Sequence, residues 1–130
     1  MVKKVLWATI ITIVLFAIVI AEQVFVDNTL NMLIEKISSL DAYVSSTENI
    51  QSAEIIDVCN NLDEFWTERE KILCLFINHN ELSKIGEQIK KVKVYIEKNN
   101  KDDCEYELDT LNFYAESYKH VVEINIQNLL

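Results

Sequence analysis

Apolar positions run along this chain in two patterns. From Val5 to Ala21 they form an unbroken, uncharged run, and from Val26 onward they recur at steps of three and four. The second spacing lines one face of an α-helix. Val26, Leu30, Leu33, Ile37, Leu40 and Val44 make a first stripe. A second follows at Ile55, Cys59, Leu62, Trp66, Leu73 and Phe76, with Phe65, Ile72 and Ile77 at its margins. Leu82, Ile85, Ile89, Val92 and Ile96 make a third, and Cys104, Leu108, Leu111, Ala115, Tyr118, Val122 and Ile126 a fourth. The sequence ends on Leu129 and Leu130 without a polar tail, so the terminus is expected to pack against something.

Polar stretches separate the stripes at Ser45 to Asn49, Asn78 to Asn80 and Asn99 to Asp103. Three pairs, Ser45 with Glu48, Asn78 with Glu81 and Asp102 with Glu105, have helix-capping spacing. Ala42-Tyr43-Val44 before the first turn echoes Val94-Tyr95-Ile96 before the third, as two successive helical hairpins would. Two units are too few for a solenoid. With no proline and a single glycine, the helices should be long and uninterrupted. The fold expected is all-α: an N-terminal transmembrane helix continuing into an antiparallel bundle of about four helices. Nothing breaks the pattern between Ala21 and Leu30, so anchor and first stripe are expected to form one helix of about 60 Å, a rigid stalk under the bundle.

The opening run decides location. Seventeen residues from Val5 to Ala21 sit at the short end of the roughly 17 to 25 that cross hydrocarbon. Val24, Phe25 and Val26 lengthen the run if Glu22 and Gln23 lie among headgroups. Trp7 suits an interface, and Lys3 and Lys4 hold the N-terminus inside. A cleaved signal peptide is the competing reading, with Val19 and Ala21 before a cut at Glu22. The length of the run, and the lack of Gly or Pro to end its helix, favour an uncleaved anchor. The division expected is an anchor over residues 1–26 and an extracytoplasmic bundle over 27–130, with membrane lipid as the first partner.

Charge narrows the rest. The chain holds 21 acidic and 12 basic residues; without Glu22, Lys3 and Lys4, the part from Asp27 onward keeps 20 and 10. Such a domain repels nucleic acid and anionic surfaces. Lys84, Lys90, Lys91, Lys93 and Lys98 gather most of the positive charge on the third helix, where surface charge balance is the ordinary reading. Arg69 interrupts the second stripe, and its neighbours at three and four residues are apolar, so a partner on another helix is expected. Cys59 and Cys104 fall on apolar positions as small hydrophobes, although a bridge between them is open if their helices face each other.

Candidate chemistry is sparse. No phosphate-cradling glycine loop, nucleophile elbow, zinc-type spacing or inward Glu-x-x-His pair is present, so no cofactor or metal is predicted and an enzyme is not expected. His79 lies in the Asn78-His79-Asn80-Glu81 turn, where a capping role outweighs ligand binding or pH sensing. Cys74 with His79 lacks any third orienting residue in the sequence. His120 with Glu116 and Glu123 forms a solvated edge. Trp66, Phe76, Tyr95, Phe113 and Tyr114 could line a pocket, but core packing is the default, with Tyr114 a candidate exposed contact.

Together these features resemble an uncharacterised, membrane-anchored bacterial family, domain of unknown function 4363, over nearly the whole chain. The resemblance is carried by the anchor, Trp66, the segment Phe76-Ile77-Asn78-His79-Asn80-Glu81, Tyr95-Ile96-Glu97, Glu107-Leu108-x-x-Leu111 and Gln127-Asn128. The family has an Asp before the histidine where this chain has Asn78, which weakens a charge-relay or metal role there. The resemblance implies an envelope or sporulation-linked role in spore-forming Firmicutes, and a motif of Trp66, Phe76, His79 and Glu81 without a stated role. The expected function is a non-catalytic accessory or scaffold protein of the envelope, acting through a membrane-protein partner or its own copies. The alternative is a ligand-binding or sensory bundle that signals through a membrane partner.

Overall fold

The structure is a computed structural model that describes residues 1–129, apart from the side chains of Ile126 and Leu129. The expectations for Ile126, Leu129 and Leu130 therefore lie outside the described residues. Four helices follow in order: α1 Val2–Ser45, α2 Ala53–Leu73, α3 His79–Glu97 and α4 Lys101–Leu129. Among the described residues each packs its backbone against two neighbours, α1 on α2 and α4, and α3 on α2 and α4, while the diagonal helices approach only through side chains in the core. Consecutive helices are antiparallel. Met32 and Lys36 of α1 meet Val58 and Leu62 of α2, Lys93 of α3 meets Asp63 of α2, and Gln88 of α3 meets Glu107 of α4.

The stripes read from the sequence are the core. All six residues from Val26 to Val44 are buried, as are Ile55, Cys59, Leu62, Trp66 and Leu73, the five of the third stripe, and Cys104, Leu108, Leu111 and Ala115. Tyr118 and Val122 pack at the margin. Phe76 and Ile72 depart from expectation, since α2 ends at Leu73 and both side chains are exposed. Ile50 was not on any stripe, yet it is fully buried from the turn between α1 and α2.

α1 is one helix of 44 residues, about 66 Å at 1.5 Å per residue. Its first half is long and apolar enough to cross a membrane, and none of that apolar window is buried. Burial starts at Val26, so the bundle begins almost where the apolar run ends and no bare stalk separates them. Arg69 reaches across from α2 at this junction. Its guanidinium lies 5.5 Å from the Phe25 ring centre and 5.3 Å from Phe65. Its inter-helix partner is thus an aromatic face rather than a carboxylate.

Caps explain where the helices stop. Ser52, not Ser45, caps α2, accepting the Ile55 N–H at 3.3 Å. Asn78 caps α3 as expected, but through the Asn80 N–H at 2.9 Å. Asn100, not Asp102, caps α4 by accepting from the Asp103 N–H at 3.3 Å. α3 ends with Asn99 at φ 51°, while the Asn99 N–H donates to the Ile96 carbonyl and the Asn100 N–H to the Tyr95 carbonyl. This pair of bonds around a left-handed residue closes the helix end.

Asn99 also ties the two turns at this end, accepting the Ile50 N–H at 3.0 Å across 49 residues. Gln51 donates to the Glu97 carbonyl beside it, and Lys101 to the Ser45 carbonyl. Asn99→Ala loses both the side-chain acceptor and the tolerance for left-handed backbone, and should cost about 2 kcal/mol in urea unfolding. Asn99→Gly, which restores only the backbone freedom, should recover about half of that. Equal stability of both variants with the parent would contradict the tie.

Candidate functional site

The helices bring polar chemistry together at the end of the bundle where α2 turns into α3. Trp66, Glu70 and Cys74 follow at steps of four and so share one side of α2 and its C-terminal cap. His79 opens α3 immediately after the turn. Cys74 Sγ lies 3.4 Å from His79 Nδ1, and Glu70 Oε1 lies 4.0 Å from the same nitrogen. The three ligand-type atoms all fall within 4.8 Å of one another.

The sequence alone left Cys74 and His79 without a third group. Folding supplies Glu70, which no sequence motif singled out. The missed signal is the four-residue step from Trp66 through Glu70 to Cys74. The arrangement does not match a nucleophile triad. There the imidazole meets the nucleophile through one nitrogen and the orienting carboxylate through the other, whereas here thiol and carboxylate face the same Nδ1.

The remaining expected residues separate into different roles. Trp66 is 1% exposed and belongs to the core. Phe76 is exposed. Phe113 is the exposed member of the Phe113–Tyr114 pair, and Tyr114 is the one that packs. His120 is exposed, while Glu116 accepts from Asn112 and Glu123 pairs with Lys119. Glu81 turns away from His79 to α4. The Tyr118 hydroxyl donates to its carboxylate and contacts its backbone carbonyl, and Lys84 pairs with the carboxylate at 3.4 Å. Two turns further along α3, the buried Gln88 donates to the Glu107 carbonyl and carboxylate, a second polar tie between α3 and α4. Neither tie shows in the sequence, because each joins residues far apart in the chain.

Electrostatics follow burial. Cys59 and Cys104 are buried and free, neighbours in the core without a bridge. Burial pushes the Cys59 thiol up to about 11 and the Cys104 thiol up to about 12. Cys74 is exposed. Asp41 is raised, first by burial and then by Asp109 and Glu105, which marks the α1 and α4 contact as acidic. Glu81 is held below the usual carboxylate range, first by the Tyr118 hydroxyl and then by Lys84.

The fold and site thus define a class: an all-α four-helix bundle with a membrane-length apolar helix at its N-terminus and a carboxylate, thiol and imidazole cluster at one end. The family profile described as a domain of unknown function (DUF4363) matches residues 20–129, and the chain belongs to that family. No curated protein and no solved structure matches it significantly.

Two outcomes check this geometry. A maleimide should label one thiol, Cys74, in the folded protein and three after unfolding, because only thiolates react and two thiols stay protonated in the core. Labelling of Cys59 in the native state would contradict the packing. For Glu81, a depressed folded pKa gives stability above the unfolded value near about 4.3 and loses it as pH falls through the folded value. The stability difference between the parent and Tyr118→Phe should therefore be largest above about pH 5 and narrow toward about pH 3. A difference that grows on acidification would overturn the assignment.

Proposed function

We propose that this protein is a single-pass membrane protein whose bundle serves as a non-catalytic accessory or scaffold subunit for another membrane protein. The N-terminus lies inside and the bundle outside, with residues 1–26 as anchor and 27–130 as the working domain. The observation that carries this reading is the unbroken α1, which is bare and apolar through its first half and packed into the bundle from Val26. A bundle joined to its anchor without a hinge is held at fixed height and orientation above the bilayer. That suits docking onto a neighbouring membrane protein better than reaching for a distant one.

The composition of the anchor-side end supports it. Ile72, Leu75 and Phe76 of the α2 and α3 turn, and Val121 and Ile124 of α4, are exposed there, with Leu75 76% exposed. These side chains lie at the level where α1 leaves the bundle, within reach of a partner's membrane-proximal surface. Nucleic acid is disfavoured by the excess of nine negative charges. A ligand-binding or sensory bundle is the second reading, favoured by the Glu70, Cys74 and His79 cluster at the same end.

Purification in mild detergent followed by crosslinking tests the proposal. A membrane protein should co-purify with the parent, and Leu75→Glu with Phe76→Glu should reduce its recovery at least about tenfold, as expected when an interface hot spot is removed. A parent that runs alone as a monodisperse monomer and yields no crosslinked partner would refute the subunit reading.

A further inference from the structure

Three buried side-chain atoms have no hydrogen-bond partner among the described residues: Thr29 Oγ1, Trp66 Nε1 and Asn112 Oδ1. Of these, Trp66 Nε1 stands beside a set of ligand-type groups. It faces Gly86 of α3, where an added methyl would meet Nε1 at 3.4 Å and Glu70 Oε2 at 3.8 Å. Glu70 therefore has two differently placed oxygens. Oε2 points inward to the spot shared with the indole N–H, and Oε1 points outward toward His79.

We propose that Glu70 Oε1, Cys74 Sγ and His79 Nδ1 bind one divalent cation of the zinc type, with the Trp66 indole N–H steadying the carboxylate from behind. Three observations carry this. The first is convergence: thiol and carboxylate face one imidazole nitrogen, as donors around a common ion do. The second is spacing. Bonds of about 2.0 Å to nitrogen or oxygen and about 2.3 Å to sulfur place tetrahedral ligand atoms about 3.3 to 3.6 Å apart. The observed 3.4 and 4.0 Å to Nδ1, with carboxylate and thiol within 4.8 Å of each other, close to these values by rotation of side chains at the surface, where His79 is 71% exposed. The third is the orphan donor: Trp66 Nε1, buried and without a partner on the same side as Glu70 Oε2, is available to take up the carboxylate when it settles on an ion, as ligand carboxylates are commonly held from behind the metal.

Donor chemistry selects the ion. One thiolate, one imidazole and one carboxylate form a borderline-soft set that favours zinc over calcium or magnesium. Thiolate and carboxylate together balance a divalent charge, and binding releases the Cys74 proton. Three protein ligands leave a fourth position open to water or to a partner's side chain. Because Glu70 and Cys74 lie on the end of α2 and its cap while His79 starts α3, the ion closes the α2 and α3 turn like a clasp. Metal binding is then linked to folding.

Cobalt(II) substitution of the full chain in detergent micelles tests the site, since thiolate coordination to cobalt gives a charge-transfer absorption. One equivalent should produce the band in the parent and in Cys59→Ala/Cys104→Ala, and zinc should displace it. Cys74→Ser should abolish it, and Glu70→Gln and His79→Ala should each weaken binding at least about tenfold. Trp66→Phe, which keeps a ring but removes the donor, should weaken it within the about 10- to 100-fold range of outer hydrogen bonds. Zinc should also raise the thermal midpoint of the parent but not of Cys74→Ser, with circular dichroism establishing that the variants are folded. No band in the parent, a band that survives Cys74→Ser, or affinity unchanged in both Glu70→Gln and His79→Ala would overturn the site.

Discussion

One helix carries two different surfaces. The first half of α1 is apolar on every side, as a helix in hydrocarbon must be, and its second half is apolar on one stripe only, as a bundle helix must be. The change of pattern happens over Glu22 to Val26, with no glycine or proline to loosen the backbone. Continuity of the hydrogen-bonded helix through those residues sets the height and direction of everything that packs on it. Arg69 strengthens the junction from outside, lying over Phe25 with its charged edge free to reach water.

The two ends of the bundle are built differently. Away from the anchor, the turns are stitched to each other through Asn99, Gln51 and Lys101, and Ile50 closes the core beneath them. Toward the other end the ties are between helices instead: Tyr118 with Glu81 near the α2 and α3 turn, and Gln88 with Glu107 two turns further along, at the middle of α3. The turn between α2 and α3 is left with exposed Leu75 and Phe76 and with the Glu70, Cys74 and His79 cluster. The bundle is thus polar and closed at one end, while exposed apolar side chains and the carboxylate, thiol and imidazole cluster gather at the end where the apolar half of α1 leaves it. Buried polar ties fix register in such bundles better than they add stability, because their desolvation offsets much of the hydrogen-bond gain.

Much of this was legible in the sequence, and the reasons for the gaps are specific. Helical period placed almost the whole core, since burial of one face is what the period encodes. Asn78 and the resemblance carried by Trp66 and the Phe76 to Glu81 segment led to the right turn and the right family. Capping was misplaced at Ser45 and Asp102 because several polar residues in each turn offered the same spacing, and only backbone geometry chooses Ser52 and Asn100. Glu70 stands in an acidic run with Glu64 and Glu68, and nothing local distinguishes it from them. Its meaning depends on His79, which a turn brings back from nine residues away. Gln88 was overlooked because a polar residue beside a stripe reads as surface until its partner on α4 is known.

Hydrogen–deuterium exchange in lipid nanodiscs tests the central claim most directly, read on the amides from Ile20 to Leu30. A single uninterrupted α1 predicts slow exchange throughout this stretch, merging without a break into the protected amides of the bundle. Fast exchange confined to Ala21 to Asn28 would place a hinge between anchor and bundle and contradict the account.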